Sequence, residues 1–234
     1  MIGYQLVSEA APARWLVDRI GEFGVDVRSV TPAGFEAYAR LFHPAYLDGR
    51  EVSWREVAEA SGHVAHPGMQ WPSITDSLRF LSHDDQPGLW DQPPDEGTLP
   101  AGPAQRLSAE LARHTSTPDT CWYAVWDGFG GVPVPAGAAR FEIPGRGMFL
   151  LRGTVATIAE APPLDGWEQR PNLWWPDDRA WCVATEIDFM TTYVGGSAAA
   201  IAGLLAVPGL EICEVDPGTG IGFDGDTLNP RPAR

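Results

Sequence analysis

Two carboxylates at alternate positions, Glu186 and Asp188, are the side chains of this sequence whose spacing best suits chemistry. If residues 181–189 form a β-strand, its side chains alternate between two faces. Both carboxylates then lie on the face opposite Trp181 and Val183. Paired carboxylates suit a cation, a basic partner or a sugar. An antiparallel strand with one face in water has the same pattern, so this simpler interpretation stays open.

A glycosidase is one activity that this spacing suggests. Positions i and i+2 of a strand are about 6.5–7 Å apart, and two carboxyl groups near that distance can act as acid and base in sugar hydrolysis. Such groups normally flank the substrate from separate elements, whereas Glu186 and Asp188 belong to one strand. We therefore do not favour this activity.

The segment before the predicted strand combines aromatic surface with both signs of charge. Its members are Trp174, Trp175, Asp177, Asp178 and Arg179, with prolines at 171 and 176. Tryptophan and arginine supply much of the binding energy of protein interfaces, and neighbouring prolines limit the entropy lost when a loop is ordered. The pattern predicts that Trp174 and Trp175 are exposed anchors, with a core position for both rings as the alternative.

The composition excludes several classes of activity. All 16 basic residues are arginine, so a Schiff-base lysine, a pyridoxal-phosphate anchor, a kinase lysine and a Walker A lysine are impossible. The 31 acidic residues give a formal net charge of −15, which repels phosphate backbones and anionic lipid surfaces. We expect no binding to nucleic acid or to a membrane.

The remaining motifs predict neither a nucleophile nor a metal site. Ser197 follows two glycines as in a hydrolase elbow, but all five histidines precede it, against the order of that fold, so a helix N-cap is the better interpretation. His63 and His66 have a metal-compatible spacing, but Gly62 and Pro67 bracket them and favour a polar loop. Cys182 would lie beside Glu186 on the strand, which raises a thiol pKa. The sequence predicts no catalytic residue, metal or cofactor.

The elements that must position these residues are predicted to change character along the chain. Helical spacing is found at residues 12–23, 31–42 and 104–114, and a Ser53/Glu56 capping box opens another helix. The predicted strands are Cys121–Trp126, Ala138–Ile143, Met148–Arg152 and Trp181–Phe189. This layout predicts the α+β class, with a helical N-terminal part followed by a mainly antiparallel sheet. Residues 1–234 are expected to form a single domain, with a possible lobe boundary in the proline-rich stretch 82–103.

Several strings in the second half of the chain resemble a family of uncharacterised actinobacterial proteins. They are LWWPDDRAWCVATEID at 173–188 and TYVGGS at 192–197, and the similarity extends to CWYAVWDGFGG at 121–131. The exclusive use of arginine over lysine fits the GC-rich genomes of such organisms. The resemblance implies membership of that family but no activity, cofactor or catalytic residue.

These observations lead to an expectation about function. We expect a non-enzymatic binding or interaction protein whose binding residues are Trp174, Trp175, Asp177, Asp178, Arg179, Glu186 and Asp188. Its partner would be another protein or a small ligand. The alternative is a carboxylate-dependent hydrolase or transferase, with or without a divalent cation. The N-terminus lacks the basic region of a signal peptide and the three cysteines are scattered, so we expect a cytoplasmic protein.

Overall fold

A computed structural model describes residues 3–76, 85–162, 164, 169–222 and 225–229. Its strands are β1 (Gln5–Leu6), β2 (Ala37–Phe42), β3 (Ala45–Leu47), β4 (Arg50–Val52), β5 (Cys121–Trp126), β6 (Arg140–Ile143), β7 (Arg146–Gly153), β8 (Leu173–Pro176), β9 (Trp181–Thr185), β10 (Thr191–Gly196) and β11 (Ile212–Glu214). Its α-helices are α1 (Arg14–Val17), α2 (Trp54–Ala60), α3 (Trp71–Ile74), α4 (Ala101–Leu111), α5 (Thr157–Glu160) and α6 (Ala198–Leu205).

Nine of the described strands form one antiparallel sheet. Its order is β1-β7-β5-β8-β9-β10-β2-β11, and β6 also pairs with β7. Because β6 pairs with residues 146–149 of β7 and β1 with residues 151–152, these two strands follow one another along the length of β7. A separate hairpin is formed by β3 and β4. The centre of the large sheet is β8, β9 and β10, which carry the segment of interest.

Helices cover one face of the sheet. Leu107 and Leu111 are one helical turn apart on α4, so both point to the sheet, where they are fully buried. Ile158 of α5 and Ile201 and Leu204 of α6 join the same core cluster. Ser197 caps α6 by accepting from the backbone N–H of Ala200, as the sequence predicted. These contacts form the first layer of the core.

The N-terminal segment covers the opposite face of the sheet. Trp15, Leu16 and Ile20 pack there with Val27 and Val30, against inward-facing side chains of β7 to β10. Both faces of the central strands are therefore dry. This explains why β8, β9 and β10 are buried at every position, in contrast to the usual antiparallel strand with one wet face.

A third cluster closes one end of the sheet. Trp54 of α2, Trp71 of α3 and Trp90 lie edge to face or tilted at centroid distances of 5.2 and 5.4 Å, and each is almost fully buried. The Ser53/Glu56 capping box predicted at the start of α2 is present, with both of its hydrogen bonds formed.

The predicted fold class, a helical N-terminal part followed by a sheet, is wrong. Of the helix predicted over 12–23, only residues 14–17 are α-helical, after a 3-10 turn. In the helix predicted over 31–42, residues 37–42 are instead β2, whose sequence AYARLF pairs with β10 on one side and β11 on the other. The backbone hydrogen bonds of two partner strands, distant in sequence, outweigh the local helical preference of this alanine-containing run. Helices are short and spread along the described chain.

The predicted strand Trp181–Phe189 is shorter than expected. It ends at Thr185, and β9 lies in the interior of the sheet between β8 and β10. Trp181 and Val183 are fully buried, but so are Cys182 and Ala184 on the other face. The N-terminal layer covers that second face, so the expected wet face does not exist. Glu186 and Asp188 fall in the turn that follows the strand.

The lobe boundary predicted at 82–103 falls partly outside the described residues, at 82–84. Within its described part, Trp90 belongs to the tryptophan cluster and Leu99 to the helix-covered core, and both are fully buried. The proline-rich segment therefore contributes side chains to two core clusters. The division into one domain or two lobes stays a prediction.

Candidate functional site

Trp174 and Trp175 are not exposed anchors, so that expectation is wrong. Both side chains are 0 % exposed. The ring of Trp174 packs edge-on to Trp181 at 5.0 Å and stacks with Tyr123, while Trp175 packs edge-on to Trp15 at 6.2 Å. They lie on opposite faces of β8, one in each core layer. Trp174 and Trp175 are therefore both core residues.

The two aspartates after these tryptophans accept hydrogen bonds from residues 115–122 of the same chain. Asp178 accepts from the backbone N–H and hydroxyl of Ser116 and from the hydroxyl of Thr115. Partial burial acts to raise the pKa of Asp178, but these hydrogen bonds outweigh it and the net pKa is lowered. Asp177 accepts from the indole N–H of Trp122 at 2.9 Å. These hydrogen bonds attach the segment after β8 to the loop that precedes β5 and to Trp122 of β5.

Arg179 occupies a left-handed backbone conformation with φ of 57°. This conformation turns the chain between β8 and β9, and the backbone N–H of Arg179 donates to the carbonyl oxygen of Pro176. Its guanidinium lies 5.7 Å from the ring centroid of Trp15, a cation–π distance. Arg179 therefore packs on the N-terminal layer at Trp15.

Glu186 and Asp188 do lie close together, and both contact Arg146. The Nη2 atom of Arg146 is 2.7 Å from Oε1 of Glu186 and 3.5 Å from Oδ2 of Asp188. The backbone N–H of Asp188 donates to the second oxygen of Glu186 at 2.8 Å. The Glu186 side chain is 8 % exposed and that of Asp188 is 63 % exposed. The carboxylate of Glu186 is therefore buried, whereas that of Asp188 faces solvent.

Glu96 is the third carboxylate at this place. Gly97, with φ of +75°, lies so close to the turn that an added Cβ would be 2.5 Å from the carbonyl oxygen of Ile187. This close approach brings Glu96 beside the turn. Burial, followed by repulsion from Asp188 and Glu186, raises the pKa of Glu96. We call Glu96, Arg146, Glu186 and Asp188 the carboxylate corner.

An aromatic recess adjoins the carboxylate corner. The guanidinium of Arg146 lies 4.2 Å from the ring centroid of Phe23 and 5.9 Å from that of Trp126. These residues, with Asn172 and Glu186, line a cavity of about 30 Å³, enough for one or two water molecules. The recess is too small for a drug-sized ligand. It can accept a small group presented by a larger partner.

The two histidines considered for a metal site, His63 and His66, have different partners in the structure. His66 donates to Asp226 through Nε2 because its Nδ1 accepts from the backbone N–H of Gly68. His63 lies instead beside Asp76, so the two histidines considered for a metal face different carboxylates. Among the described residues, no three His, Cys, Asp or Glu side chains are arranged to hold a metal ion.

Sequence reasoning missed Arg146, Glu96 and Phe23 as members of this site. Arg146 is 40 residues from Glu186 in the chain, and it reaches the corner because β6 and β7 form a hairpin at the sheet edge. The one available signal was the short turn between these strands, with Gly145 at φ of +77°. No local pattern relates that turn to residue 186.

Comparison of the chain with protein-family models, curated proteins and solved structures gives no match. In the part of the chain that is described, no helix is both long enough and apolar enough to cross a membrane.

Proposed function

We propose that this protein is a non-enzymatic binding protein that recognises a cationic group of a protein partner at the carboxylate corner. The observation that carries the proposal is that Glu96 lies within electrostatic range of Glu186 and Asp188, while Arg146 pairs only with the latter two. Asp188 and Glu96 face solvent, while Arg146 satisfies mainly the buried Glu186. A lysine or arginine of a partner would supply the missing positive charge.

The surroundings of the corner support a side chain rather than a free small molecule as the guest. The recess of about 30 Å³ is shallow, and Trp126 at its rim is partly exposed. A partner guanidinium can stack on such a ring while it pairs with a carboxylate. The net charge of −15 would increase the rate of association with a basic partner.

The enzymatic alternative receives less support from the same contacts. A general acid or base needs an oxygen that can exchange a proton with a substrate. One oxygen of Glu186 accepts from Arg146 and the other from the backbone N–H of Asp188. These donors occupy both oxygens of Glu186, which favours binding over catalysis. Membership of the actinobacterial family suggested by the sequence stays a prediction.

A titration with a basic peptide tests the proposal. The probe is a hexa-arginine peptide, and the readouts are isothermal calorimetry and tryptophan fluorescence. The double variant Asp188→Asn and Glu96→Gln should weaken binding about 2- to 30-fold, since exposed ion pairs contribute about 0.2–1 kcal/mol each. The control is Glu9→Gln with Glu59→Gln, two exposed carboxylates elsewhere, which changes the net charge equally.

The control separates local recognition from attraction to an acidic protein. If the two double variants lose the same affinity, the peptide senses only the total charge and the carboxylate corner is not the binding site. If the wild-type protein shows no saturable binding of the peptide, the proposal is also wrong.

A further inference from the structure

The aromatic recess beside the carboxylate corner has an apolar floor and an apolar rim. The floor consists of side chains that are at most 3 % exposed, namely Met148, Leu173 and Ala184. The rim consists of apolar side chains that are only partly buried, namely Phe23, Trp126, Ile143 and Ile187. A partner that covers such a rim removes apolar surface from water, which favours association.

The polar side chains that line the recess already have partners within the chain. They are Ser29, Arg146, Asn172, Thr185 and Glu186. The amide of Asn172, for example, accepts from the backbone N–H of Trp126 and donates to the carbonyl oxygen of Thr185. A buried water molecule needs about two to four polar partners, and a buried cation needs acceptors. The recess therefore favours an apolar guest.

The size of the recess restricts that guest to a small side chain. Its volume is about 30 Å³, which is room for about two water-sized particles. The isopropyl group of valine is about that size, whereas a leucine side chain or an aromatic ring is larger. A small aliphatic side chain of a partner therefore fits the recess best.

Arg146 contacts both the recess and the exposed carboxylate of Asp188. Its side chain lines the recess, and its Nη2 atom is 3.5 Å from Oδ2 of Asp188. One guanidinium thus separates the recess from that carboxylate. In an extended segment, side chains i and i+2 lie on the same face about 6.5–7 Å apart. Two such side chains can reach the recess and Asp188 together.

We propose that the partner presents an extended segment in which a valine lies two residues from the cationic residue. The valine enters the aromatic recess while the cation pairs with Asp188. The segment belongs to the partner of the proposed function, on which this assignment rests. The carboxylates attract and orient the segment, and apolar burial in the recess adds affinity that an exposed ion pair alone does not supply.

Three peptides of equal charge test this spacing. RGGVGRGVGGR carries valine two residues from its central arginine in both chain directions, RGGGVRVGGGR carries it next to that arginine, and RGGGGRGGGGR carries none. In NMR titrations of the ¹⁵N-labelled full chain, the first peptide should have a Kd about 3- to 10-fold lower than the other two, as expected for partial burial of a valine side chain. Equal affinity of the first two peptides would overturn the spacing.

A variant at the rim tests the place where the valine binds. Ile143→Ser removes apolar surface from the rim and should abolish the preference for RGGVGRGVGGR. The matched control is Leu6→Ser, because Leu6 is also exposed on a strand that pairs with β7 but does not line the recess. The control should keep the preference. A preference that persists in Ile143→Ser, or an equal loss in both variants, would overturn the assignment of the recess.

Hexa-arginine separates failure of this assignment from failure of the proposed function. Saturable binding of hexa-arginine at the carboxylate corner, together with equal affinities for the three peptides, would overturn the valine site and leave the cation site standing. No saturable binding of hexa-arginine or of any of the three peptides would overturn both.

Discussion

Trp174 and Trp181 form a natural pair for measuring what an indole N–H contributes to stability. Both rings are fully buried in the same core layer, 5.0 Å apart. The N–H of Trp181 donates to the carbonyl oxygen of Leu111 at 3.0 Å, whereas that of Trp174 has no hydrogen-bond partner among the described residues. Replacing each with phenylalanine removes a similar volume, but only one replacement breaks a hydrogen bond.

The expected difference follows from that contrast. The loss of packing should be similar in Trp174→Phe and Trp181→Phe and cancels in the comparison. Trp181→Phe also leaves the carbonyl of Leu111 buried without its donor, which costs about 1–3 kcal/mol. Urea unfolding at constant m-value gives both free energies of unfolding. Equal losses, or a larger loss for Trp174→Phe, would refute the assigned hydrogen bonding of this core.

Three further outcomes are expected. The double variant Trp174→Ala and Trp175→Ala should lose about 3–5 kcal/mol per site, close to the whole stability of a domain, and thermal melts check this because a surface role would leave the Tm almost unchanged. Burial lowers the pKa of His43 to about 4, so the unfolded chain binds the extra proton. Stability should therefore be complete above about pH 6.5 and fall by up to about 1.4 kcal/mol per pH unit towards pH 4. Urea unfolding at pH 7.5 and 5.0 checks this, and an unchanged slope in His43→Gln would contradict it. Asp226→Ala removes an acceptor of His66, Gln70 and Asn229 hydrogen bonds, so residues 225–229 should become sensitive to limited proteolysis at neutral pH, and unchanged resistance would contradict that role.

Part of the candidate site was visible in the sequence. The spacing of Glu186 and Asp188 correctly indicated two neighbouring carboxylates, although they lie in a turn rather than on a wet strand face. The third carboxylate and the arginine were not visible, because Glu96 and Arg146 come from segments 90 and 40 residues away from Glu186. Their approach depends on a hairpin at one sheet edge and on Gly97 packing against the turn.

The Trp174–Trp175 pair shows why burial could not be predicted from the local pattern. Adjacent strand residues point to opposite faces, so one of two neighbouring tryptophans is expected to reach solvent in an antiparallel sheet with one wet face. Here the N-terminal segment covers the face of Trp175 and the helices cover that of Trp174. The segments that form the covering layers lie far from β8 in the chain, so the four residues of β8 do not identify them.

The sequence by itself determined the features that depend on residue type or on contacts within one turn. The absence of lysine excluded several kinds of catalysis, and the caps at Ser53 and Ser197 formed as predicted. Tertiary structure alone decided that residues 37–42 are a strand, that the tryptophans are core, and which charges meet Glu186. The physical reason is range: a cap is completed within four residues, whereas strand pairing, dry sheet faces and ion pairs require chain segments that only the fold brings together.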